Sequence, residues 1–77
     1  MKEIYSLRLI KLGEIVKQVR QSKNYTQQSL AELSDIDIRT IPRVEKGCLN
    51  LSLNIFISIL VVLELDPTEV ISKILNE

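Results

Sequence analysis

The chain has no histidine, no tryptophan and a single cysteine, Cys48. One thiol cannot close an internal disulfide, so a reducing interior is the natural setting. Without histidine or a cysteine cluster a zinc centre lacks ligands, and neither a metal nor another cofactor is expected. Two glycines and two prolines are too few for the frequent turns of an all-β fold. Tyr5, Tyr25 and Phe56 are the only aromatics, so the core must be Leu, Ile and Val, as suits a helical bundle. Long apolar runs are also missing. The longest, Ile59 to Leu63, falls far short of the roughly 20 residues that cross a bilayer. The N-terminus lacks the apolar centre of a signal peptide. The expectation is a cytoplasmic protein with no membrane partner. Enzyme chemistry is poorly served, with no paired catalytic constellation and no Gly-rich phosphate loop.

What is present is one domain of 77 residues, near the lower limit for a self-supporting core. The net charge is zero, but its distribution is uneven. Residues 1–47 carry nine Lys/Arg against six Asp/Glu, and residues 48–77 carry one against four. A net charge of zero argues against nucleic acid, whereas a basic N-terminal half leaves room for it.

Apolar spacing predicts five helices. Leu12, Ile15, Val16 and Val19 recur at helical intervals from about Ile10, ending near Ser22–Asn24. Residues 1–9 carry no cap and read as a frayed arm or a lead-in turn. Thr26 is a good N-cap for a second helix, Gln27 to Ser34, expected to bury Leu30, Ala31 and Leu33. Ser34-Asp35-Ile36 makes a turn, with Asp35 tolerant of left-handed geometry and Ile36 pointing inward. Asp37 can cap a third helix running to Lys46, closed by Gly47, with Ile41 and Val44 inward. Pro42 would then be its fifth residue and would break a hydrogen bond to the Ile38 carbonyl, at about 3 kcal/mol. A start at Thr40 avoids that cost, leaving residues 37–39 extended. Ser52 caps a fourth helix, Leu53 to about Glu64. Asp66-Pro67-Thr68-Glu69 opens a fifth, carrying Val70, Ile71, Ile74 and Leu75.

T-Q-x-x-L-A, then an inward Ile36, then I-x-x-V-E-x-G resembles the helix-turn-helix of Cro/repressor-type (XRE family) regulators. The resemblance spans about residues 12–65. It implies an all-α, compact five-helix repressor-like domain whose DNA-binding bundle occupies about residues 10–65, with double-stranded DNA as partner. In that family the second helix braces the third, whose outer residues reach the major groove. Position matching carries DNA contacts onto Gln27 and Gln28 at the start of the second helix. It carries them also onto Ile38, Arg39, Thr40, Pro42 and Arg43 around the third, and onto Lys46 and Asn50 for phosphates. Arg39 or Arg43 could pair with guanine; both could equally be solvated helix charges. Ile38 and Pro42 depart from the family's usual polar residues there. Arg20 and Glu45 match a buried ion pair joining the first helix to the third.

The stretch Leu53 to Leu63 is apolar at nine of eleven positions, more than a one-sided helix needs. Phe56, Leu60 and Leu63 are assigned to the core. Ile55, Ile57, Ile59, Val61 and Val62, with Ile71, Ile74 and Leu75, are assigned to a homodimer interface within residues 53–77. Three functions fit: a dimeric regulator like a phage repressor or restriction–modification controller, autorepressing a near-palindromic operator; a HipB-type antitoxin that also binds a toxin partner; or a protein-interaction module with degenerate DNA binding. V-R-Q-S-K-N-Y-T-Q-Q-S-L-A and I-L-V-V-L-E-L carry the likeness to antitoxins.

Overall fold

The computed structural model describes the backbone of residues 2–76 and the side chains of residues 7–76, so Met1 of the expected arm lies outside it. Among the described residues five helices follow one another: α1 Lys2–Ser22, α2 Gln27–Ser34, α3 Thr40–Lys46, α4 Leu53–Leu63 and α5 Pro67–Leu75. The first begins eight residues earlier than its strongest apolar signal. No proline interrupts residues 2–9, and Leu9, half-buried, extends the Leu12–Val16 stripe by one turn. No helix among the described residues is long and apolar enough to cross a membrane.

Capping chemistry sets the helix starts. The Thr26 hydroxyl accepts the Ser29 amide at 3.0 Å, and Ser29 Oγ accepts the Thr26 amide at 2.8 Å, closing a reciprocal box. Ser52 accepts from the Ile55 amide at 3.1 Å, and Asp66 accepts from the Thr68 amide at 2.9 Å with Pro67 in the first turn.

The first four helices end on one shared device. Asn24, Asp35, Gly47 and Glu64 adopt φ of 60°, 57°, 74° and 59°, and the chain reverses at each. The next residue's amide then reaches back five positions: Tyr25 to the Arg20 carbonyl, Ile36 to Ala31, Cys48 to Arg43 and Leu65 to Leu60. Tyr25, Ile36 and Leu65 fold back onto the core, which offsets the left-handed cost at the three non-glycine positions.

The core joins Leu12 and Val16 of α1, Leu30 and Ala31 of α2, Ile41 and Val44 of α3, Ile59, Leu60 and Leu63 of α4, and Val70 of α5. α1 packs on α3, α4 and α5, while α2 packs on α3 and α4. Two assignments change. Leu33, expected inside, is 58% exposed, because Ser34 takes the inward place and returns its hydroxyl to the Leu30 carbonyl. Ile59, expected at a dimer interface, is 0% exposed and sits in the core beside Leu60. Leu60 and Leu63 turn in as assigned, but a helix apolar nearly all round marks its inward edge too weakly to place Ile59.

Candidate DNA-binding surface

α2, the Asp35 turn and α3 form a braced helix pair. Ala31, 2% exposed on α2, gives α3 room to approach. Asp35 reverses the chain, and its amide contacts the Ala31 and Glu32 carbonyls. The next turn is tighter. Asp37 accepts the Arg39 amide on Oδ1 at 2.9 Å, and its carbonyl accepts the Thr40 amide at 2.9 Å. The Ile41 amide then bonds the Ile38 carbonyl at 3.3 Å.

That last bond resolves the proline problem. α3 starts at Thr40, so Pro42 is its third residue, in a first turn where no amide has a partner within the helix. The Ile38 carbonyl, which a proline further along a helix would strand, is already satisfied by Ile41. Residues 37–39 are therefore a turn continuous with α3, with Arg39 already in helical geometry (φ −66°, ψ −19°), and not the extended segment expected for this start. Asp37 caps that turn rather than a longer helix.

α3 is anchored to α1 from beneath. Arg20 Nε donates to Glu45 Oε2 at 2.6 Å and Arg20 Nη2 to Oε1 at 3.1 Å. Both residues are buried, at 8% and 9% exposure. The guanidinium also donates to the Tyr25 carbonyl at 2.8 Å, so one arginine ties α1, the α1–α2 turn and α3. Two glycines let the backbones meet. A Cβ on Gly13 would lie 2.5 Å from the Val44 and Glu45 carbonyl oxygens, and one on Gly47 would lie 2.5 Å from Ile10 Cα. Sequence reading missed Gly13; a lone glycine inside an otherwise unbroken helical pattern was the available signal.

Helical geometry sorts the outer residues. Ile41, Val44 and Glu45 point inward, which leaves Arg39, Arg43 and Lys46, spaced i, i+4 and i+7, on the opposite exposed face. Ile38 is 43% exposed beside them, and Thr40 and Pro42 are half-buried. Asn50 is exposed in the connector beyond α3. Gln28 is exposed, bonding Glu32 along α2 at 3.3 Å. Gln27 is half-buried, and its side-chain amide donates inward to Glu45 Oε1 at 3.0 Å. Its side-chain nitrogen is thus part of the brace, while its backbone amide opens α2.

Arg39 is not a loose charge. Its Nε and Nη2 donate to the two Asp37 carboxylate oxygens at 3.1 and 2.8 Å. These bonds hold the Asp37 carboxyl down from its ordinary 3.8 to about 2, with the side-chain bonds first and the backbone bond second. The same pairing raises the Arg39 pKa. Spacing alone did not single out Asp37 as a partner of Arg39.

Residues 16–70 match the sequence profile of the helix-turn-helix family. The chain belongs to this family, in its Cro/repressor (XRE) branch. Three solved structures are similar to it. The restriction–modification controller protein C.AhdI from Aeromonas hydrophila is 32% identical, with a TM-score of 0.76 over 80% of this chain and 94% of that one. The controller C.Esp1396I, as a tetramer in complex with its natural 35 base-pair operator, is 26% identical, with a TM-score of 0.77 over 90% and 91%. The clp gene regulator ClgR from Corynebacterium glutamicum is 25% identical, with a TM-score of 0.78 over 88% and 71%. No curated protein sequence matches the chain.

Proposed function

We propose that this DNA-binding transcriptional regulator is a cytoplasmic homodimer that represses its own gene from a near-palindromic operator, with no catalytic step. One observation carries the reading: the exposed Arg39–Arg43–Lys46 row rides on a helix fixed to α1 by the buried Arg20–Glu45 fork. A base-reading helix needs such a fixed angle, because a guanidinium reads guanine only in the correct pose. Arg39 and Arg43 contact base edges, with Ile38, Thr40 and Pro42 lying against the groove. Lys46, Asn50, Gln28 and the amide of Gln27 meet phosphates. The controllers similar to this chain include one complexed with its operator, which favours the same partner here.

Pairing of two copies supplies the operator's symmetry. Leu53, Ile57 and Val61, four residues apart, form one exposed row on α4. Ile71 and Leu75 are exposed on α5, and with Ile74 and Phe56 they line a cleft of about 430 Å³ that Leu53 also borders. Half-buried Ile55 and Val62 flank the row, and Leu33 of α2 extends it beside Ile57 and Val61. This face replaces the set that included Ile59. The protomer measures 33 × 23 × 20 Å. Two copies side by side can thus bring their α3 helices near the roughly 34 Å repeat of successive major grooves.

Footprinting on DNA upstream of the gene, with the wild type and Arg43→Ala, tests the reading. Symmetric protection that the folded variant loses supports it. No protection by the wild type rules it out. Sedimentation of Ile57→Glu tests the pairing: a folded monomer supports this face, and an unchanged dimer rejects it.

A further inference from the structure

The Asp37–Arg39 pair costs something that a simple DNA binder would avoid. Asp37 is an exposed negative charge at the entry to α3, beside a row meant for an anionic duplex. It is also bound in a defined way. One carboxylate takes the Arg39 backbone amide at 2.9 Å, Nε at 3.1 Å and Nη2 at 2.8 Å. The Arg39 side chain is nevertheless 87% exposed, so this contact restrains it where burial does not.

A guanidinium carries five N–H donors in a planar fork. Asp37 occupies the Nε–Nη2 side edge, leaving the end edge, with one N–H from each Nη, directed away from the carboxylate. That end edge matches the parallel O6 and N7 acceptors of guanine in the major groove. A phosphate could take the same edge, but a fixed carboxylate nearby repels phosphate oxygens and penalises that alternative. On the DNA-binding reading above, we infer that Asp37 is a specificity-setting positioning residue: it holds the Arg39 fork end-on so that Arg39 selects guanine rather than tracking the backbone. The carboxylate contributes discrimination and subtracts from general affinity.

The test is an anisotropy titration of the full-length protein on its protected upstream site and on a set of single base-pair variants. Wild type, Asp37→Asn, Arg39→Ala and the double variant are compared at two salt concentrations. Asn can still accept the Arg39 amide and keep the turn, so thermal melts should be similar while the charged fork is lost. The expected result for Arg39→Ala is a drop of roughly 5- to 150-fold in preference at one G·C pair, the range a bidentate contact gives. Asp37→Asn is expected to lower preference at that same pair about 5-fold or more, with equal or tighter binding to unrelated DNA. In the Arg39→Ala background, Asp37→Asn should add no further loss of preference. The inference is overturned if Asp37→Asn retains the wild-type base profile, if it shifts all positions equally, or if its effect persists without Arg39. A wild type with no base preference would instead overturn the base-reading function, and this inference with it.

Discussion

Gly13 on α1 lies directly against the Glu45 carbonyl of α3, so closely that a Cβ would stand 2.5 Å from the oxygen. The obstacle is backbone, not the end of a flexible side chain, so α1 and α3 must separate to admit even alanine. Gly13→Ala should therefore lower stability despite alanine's better helix propensity, which is worth only about 1 kcal/mol. Overpacking of this kind costs about 1–3 kcal/mol. Denaturant melts should show a net loss, and operator affinity should fall as α3 is displaced. A gain in stability would mean that the helices part easily.

Arg20 and Glu45 are buried together, so removing one strands the other. Arg20→Ala should cost about 3–5 kcal/mol. A domain of this size has about 4–12 kcal/mol in total, so the variant should lose at least roughly a quarter of its stability. Arg20→Met combined with Glu45→Leu should recover most of the loss, because no charge is then left alone. The midpoint of urea unfolding reads both.

Asp35 sits in the left-handed region at φ 57°, between the two helices of the motif. Asp35→Gly should raise the thermal midpoint, by an amount equivalent to about 1 kcal/mol, because glycine has no side-chain clash there. Asp35→Val should lower it by more. A melt in which glycine and valine behave alike would count against the backbone argument.

The Asp37 carboxyl titrates at about 2 against its ordinary 3.8 because Arg39 and the backbone amide bond its charged form. A depressed folded-state value contributes stability that is fully present above the unfolded value. That contribution is lost as pH falls from about 3.8 towards about 2. The pair is exposed, so the contribution is small and salt-sensitive. Carbon-detected NMR titration should find Asp37 depressed in the wild type and nearer 3.8 in Arg39→Ala.

Much of this fold was legible because caps are local chemistry. Thr26, Ser52 and Asp66-Pro67 each announce a helix within a few residues, and all three act as read. The ion pair was legible only through family likeness, since Arg20 and Glu45 lie 25 residues apart. The assignments on α4 were legible only in part: Leu60 and Leu63 turn in and Ile57 and Val61 turn out as read, but Ile59 does not follow its reading. When nearly every residue is apolar, periodicity cannot say that Ile59 turns in. Glu64 in left-handed geometry was unforeseeable by composition. It depends on Leu65 packing back onto the core, and its carboxylate takes the Lys23 ammonium at 2.8 Å across the chain. The Pro42 question turned on a single amide-to-carbonyl bond, from Ile41 to Ile38, that no residue pattern specifies.

Both glycines of the chain are spent on seating α3 against α1. α3 and the long first helix are therefore one lever, with no loose joint between them. On the proposed reading, altered target preference is reached by exchanging the side chains at positions 39 and 43, not by re-aiming the helix that carries them. A swap of those side chains should leave the scaffold's melting behaviour almost untouched.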